Sequence, residues 1–91
     1  MIIDVQVLDR DTYKEYVGKA RPLVEKFGGR YLARGGGVKA VSGDWHPERI
    51  ILLGFPSLEY LRQWLASPEY APLATLREKF TRTRAIVVEG V

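Results

Sequence analysis

Ile3, Val5 and Val7 alternate with Asp4 and Gln6 at the start of the chain, and this period of two predicts a strand over residues 2–8. One face of that strand is apolar, and the other carries a carboxylate and an amide. Asp9 then offers a helix-capping oxygen. Beyond it Tyr13, Tyr16, Val17, Ala20, Leu23, Val24 and Phe27 recur at helical spacing up to a Gly28-Gly29 stop. Pro22 falls inside this helix, where its ring presses on the carbonyl of Gly18, so the pattern predicts a kink near residues 18–22.

Residues 30–34 read as a second strand, broken by Gly35-Gly36-Gly37 and resumed by the alternation of residues 38–41 before a Ser42-Gly43-Asp44 turn. Residues 49–55 are apolar on both faces apart from Arg49 and Gly54, the mark of a strand covered on both sides. Pro56 ends it. Ser57 caps a helix carrying Leu58, Leu61, Trp64 and Leu65 along one side, and Ser67-Pro68 starts another that runs to Phe80. Residues 84–90 close the chain as a β-branched strand.

The order strand, helix, strand, strand, helix pair, strand is that of an α+β, ferredoxin-like split βαβ fold, with helices on one face of a four-stranded antiparallel sheet. Residues 1–91 are expected to form a single domain. Helices on one face leave the other bare, and here that face still carries Ile50 and Leu52. The economical cover is a second copy packed sheet against sheet, a homodimeric α+β barrel with an enclosed space between the sheets.

Composition narrows the chemistry. With no cysteine among 91 residues there is no disulfide, thiolate cluster or cysteine nucleophile, and one histidine gives no basis for an imidazole-rich metal site; no metal or cofactor is expected. No apolar run is long enough to span a membrane, and Asp4 follows the start too closely for a secretory leader, so the expected compartment is the cytoplasm. A net charge of +3 is ordinary solubility rather than a nucleic-acid footprint. Arg30-Tyr31-Leu32-Ala33 also lacks the aromatic alternation of sheets that stack RNA bases, so nucleic acid is not an expected partner.

The candidate site residues follow from this frame. His46 is the single imidazole in the chain, the side-chain type suited to general acid or base work near neutrality, although an exposed loop histidine explains it as well. Arg34, at a strand end beside the glycines, can hold a carboxylate or enolate bidentately, or else form an ion pair with a nearby acid. Asp4 and Gln6 share the non-helical face of the first strand, where a carboxylate in a semi-enclosed lumen suits proton abstraction; a pair between Asp4 and Arg34 accounts for it equally. Trp45 and Tyr70 are the aromatics least explained by helix periodicity, and each is expected to wall a pocket or fill a dimer seam. The triple glycine reads as a turn or bulge, because a strand and not a helix follows it. Arg77 reads as part of a solvated helix face.

Several spaced segments agree in order with one family: residues 28–36 (Gly-Gly-Arg-Tyr-Leu-Ala-Arg-Gly-Gly), residues 43–49 (Gly-Asp-Trp-His-Pro-Glu-Arg), Phe55-Pro56-Ser57, Ser67-Pro68-Glu69-Tyr70 and the closing Val87-Val88-Glu89-Gly90-Val91. The chain closely resembles the domain of unknown function 1330 family, nearly end to end. The resemblance implies a dimeric ferredoxin-like barrel, an architecture shared with small cofactor-free monooxygenases, dehalogenating enzymes and muconolactone isomerases. It also sets Arg34 within a family Arg-Gly-Gly segment. Gly54 stands where relatives often carry an acid, and the position of His46 varies among them. Two functions fit: a dimer that binds a small acidic or enolisable metabolite between its sheets, as a cofactor-independent monooxygenase- or isomerase-like enzyme, and a non-enzymatic ligand-sensing or structural dimer with a filled lumen.

Overall fold

The computed structural model describes residues 1–90; Val91, the last residue of the closing motif, lies outside the described residues. Its elements are β1 (Ile2–Val7), α1 (Arg10–Lys26), β2 (Arg30–Gly35), β3 (Arg49–Gly54), α2 (Leu58–Ala66), α3 (Ala71–Phe80) and β4 (Thr81–Ile86). The strands form one antiparallel sheet in the order β2-β3-β1-β4. The helices lie on one side of it, so the molecule is a slab of 36 × 36 × 16 Å.

Alternation along the strands decides which residues meet the helices. Ile3, Val5, Ile51 and Leu53 point toward them and form the core with Leu23 and Val24 of α1, Leu61 and Trp64 of α2, and Leu73 of α3. Their neighbours Ile2, Asp4, Gln6, Ile50 and Leu52 therefore face away, onto the open side. Two features of α1 match its sequence. The Asp9 carboxylate accepts from the backbone N–H groups of Asp11 and Thr12 at 3.1 and 3.3 Å. At the other end Gly28 has φ +81°, with its N–H on the Glu25 carbonyl and that of Gly29 on Val24, a Schellman close. The helix runs unbroken through Pro22.

Three expectations differ. Residues 38–41 do not resume a strand: β2 is the sheet edge, so they have no neighbouring strand to pair with, and Val41 is exposed. The glycines do end β2, with a bend at Gly36, and the strand carries a further irregularity, a register shift between Tyr31 and Ala33. The third helix starts at Ala71 and not at Pro68, because the Ser67 hydroxyl donates to the Trp64 carbonyl at 2.8 Å and accepts from the Tyr70 N–H at 3.3 Å, fixing a turn there. The last strand is Thr81–Ile86 rather than 84–90, since its pairing with β1 begins at Thr81 opposite Val7 and ends at Ile86 opposite Ile2.

Candidate functional site

The β2 bulge decides where Arg34 points. Tyr31 pairs with Leu53 and Arg34 with Ile51, and both partners face the helices. Without the extra residue, Tyr31 and Arg34 would lie on opposite faces. With it they share one, and the Arg34 guanidinium sits over the Tyr31 ring at 5.7 Å. Asp4 faces the other way. The proposed pair between Asp4 and Arg34 is therefore not made, because the sheet separates them.

Asp4 has other partners on the open face. Its carboxylate accepts from Trp45 Nε1 at 3.2 Å and from Arg84 at 3.1 Å, so the loop after β2 folds over this face and the carboxylate is already satisfied. Gln6 lies exposed one pair along, opposite Arg82. The far end of the same face is apolar: Leu32, Ile86 and Val88 are 58, 63 and 63% exposed beside Ile2 and Leu52. Leu32 also covers the space beside Gly54.

Arg34 opens instead onto a cleft of about 780 Å³ between α1 and the ends of β2 and β3. The wall carries Arg10, Lys14 and Arg21 from α1, Arg34 and Arg49 from the sheet, and one acid, Glu48. Arg49 stacks over the Tyr13 ring at 5.3 Å, as Arg34 does over Tyr31. Tyr13 is only 5% exposed, and its buried hydroxyl has the Arg49 guanidinium beside it as its polar neighbour. Burial raises its pKa, opposed by Arg49 and Arg34; burial likewise raises that of Tyr31, again opposed by Arg34. Gly18 and Pro22 also line the cleft, and because proline has no N–H the Gly18 carbonyl lacks its usual helical donor.

Behind the cleft a polar network crosses the helical layer. Arg77 donates to the Tyr70 hydroxyl at 3.0 Å, and that hydroxyl meets Tyr16 at 3.0 Å. Tyr70 is buried against Trp64, with ring centroids 4.6 Å apart, so it walls neither an open pocket nor the bare sheet face. Arg77 is half-buried with its Nε hidden, not part of a solvated face. Burial and the neighbouring Tyr70 hold the Tyr16 pKa well above the usual phenol range. His46 is 73% exposed, 3.5 Å from a fully exposed Asp44, and does not line the cleft.

Of the sequence candidates, then, Asp4 and Trp45 come together on the open face, Gln6 shares it, and Arg34, Tyr70 and His46 each lie elsewhere. Sequence reasoning missed Tyr13, Arg49 and Arg10. Their signal was present in the basic residues Arg10, Lys14 and Arg21, which follow one another at helical spacing on α1.

Among curated proteins no relative matches. Solved structures do. A crystal structure of RPA0582, a protein of unknown function from Rhodopseudomonas palustris, superposes with a TM-score of 0.72 at 17% identity, covering 91% of this chain and 75% of that one. The methylated RPA0582 protein gives 0.64 at 15% identity, covering 99% and 83%. At such identity the likeness shows a common fold. No helix is long and apolar enough to cross a membrane among the described residues. The family of the domain of unknown function DUF1330 matches residues 1–91, the whole chain, and the protein belongs to that family.

Proposed function

We propose that the chain, as one domain over residues 1–91, is a cytoplasmic homodimer that binds a small organic anion, with the ligand in the basic cleft beside α1 and not between the sheets. The observation that carries this reading is the charge of the cleft: Arg10, Lys14, Arg34 and Arg49 line it with no carboxylate partner among the described residues. Guanidinium groups laid on aromatic faces keep their N–H edges free for a carboxylate or phosphate.

The open face serves the dimer. The solvent-accessible surface of the chain is 6474 Å². A compact monomer of this mass exposes about 5,400 Å². The excess exceeds the roughly 800 Å² that each partner contributes to a standard interface. Asp4, already held by Trp45 and Arg84, supports a lumen that is packing rather than a reaction chamber, which favours the structural reading of that space.

Thermal melts at low ionic strength test the ligand site. Carboxylates or phosphate at millimolar concentration should raise the Tm of the parent protein, and Arg34→Met should remove that rise while leaving the ligand-free Tm within a few degrees. An anion-induced rise that persists in Arg34→Met would refute the site.

A further inference from the structure

The charge pattern of the cleft points to more than an anion. Of its five cations only Arg21 has a carboxylate partner, Glu25 at 3.4 Å; Arg10, Lys14, Arg34 and Arg49 have none among the described residues. Glu48 is the one acid on the wall. Like charges gathered around a concave space repel one another, and each anionic group brought in relieves part of that repulsion.

Arg34 and Arg49 are also fixed in a particular way. Each lies over a tyrosine ring, at 5.7 and 5.3 Å, which steadies the guanidinium beside the cleft without neutralising its charge. They come from the facing ends of adjacent antiparallel strands, β2 and β3, so one compact ligand spans both. A single carboxylate satisfies one fork and leaves the other facing an unpaired charge.

Resting on the reading of this cleft as an anion site, we infer that its occupant is a compact dianion, one charged group for Arg34 and one face or group for Arg49. A dicarboxylate and a phosphate monoester share that chemistry.

Isothermal titration of the intact protein at about pH 8 and low salt, with succinate, inorganic phosphate and acetate in turn, tests this. Succinate or phosphate should bind at least about tenfold more tightly than acetate, and Arg49→Met should bring the dianion down to the acetate level. Preference for phosphate marks a phosphate ester as the source, and preference for succinate marks a dicarboxylate. Acetate binding within tenfold of both dianions, or a dianion affinity untouched by Arg49→Met, would overturn the inference while leaving the anion site standing. No heat from any of the three at about 10 mM would remove the site as well.

Discussion

Arg34 and Asp4 stand on opposite faces of the same sheet: Arg34 pairs with Ile51 on the helical side, and Asp4 pairs with Ile50 on the open side. Their contributions to stability should therefore add. Arg34→Met loses a cation–π contact with Tyr31, about 0.5–1 kcal/mol, and Asp4→Leu loses the bonds from Trp45 and Arg84, about 1–2 kcal/mol. Denaturant unfolding of the two single variants and the double should give a coupling below about 0.5 kcal/mol. Recovery of stability in the double variant would mean that the two charges compensate each other.

Gly28 and Gly29 should both resist substitution, for different reasons. Gly28 is held at φ +81°, so Gly28→Ala should cost about 1 kcal/mol in backbone strain. A Cβ on Gly29 would come within 2.6 Å of the Phe55 ring and 2.7 Å of Val24, and Gly29→Ala should cost about 1–3 kcal/mol as these are displaced. Equal melting of Gly29→Ala and the parent would contradict that packing.

Alkaline pH should weaken the fold. Tyr13, Tyr16 and Tyr31 are held protonated above the ordinary value of 10.0, chiefly by burial, so the folded chain keeps protons that the unfolded chain releases. Their contribution is complete below pH 10 and is lost as the pH rises above it, by about 1.4 kcal/mol per pH unit for each tyrosine still protonated. Urea unfolding between about pH 8 and 11.5 should show that fall, and Tyr16→Phe should make it shallower by one proton.

The bare sheet face should produce a dimer. Sedimentation equilibrium at micromolar concentration should return twice the 10.3 kDa chain mass. Leu32→Lys with Ile86→Lys should yield monomers, because both side chains lie on that face, 58 and 63% exposed in the single chain. A monodisperse, well-folded monomer of the parent protein would contradict the barrel.

The fold was legible because its signals are local. Period-two alternation in β1, the Asp9 cap and the Gly28-Gly29 close each act within a few residues, and each holds. The site was not, because one bulge between Tyr31 and Ala33 inverts the parity of β2 and carries Arg34 to the helical side. No pattern in residues 30–34 reports that shift. Tyr70 and Arg77 misled for a related reason: their burial depends on how α3 docks on α1 and α2, which helix periodicity alone does not specify.

The central claim is that the ligand site lies beside α1 and not between the sheets. A two-dimensional amide NMR titration of the parent protein with succinate tests it most directly. The account predicts shifts concentrated at Arg10, Tyr13, Lys14, Gly18, Arg34 and Arg49, the residues around the cleft. Shifts concentrated instead at Asp4, Gln6, Ile50, Leu52 and Arg84, on the open face, would contradict it.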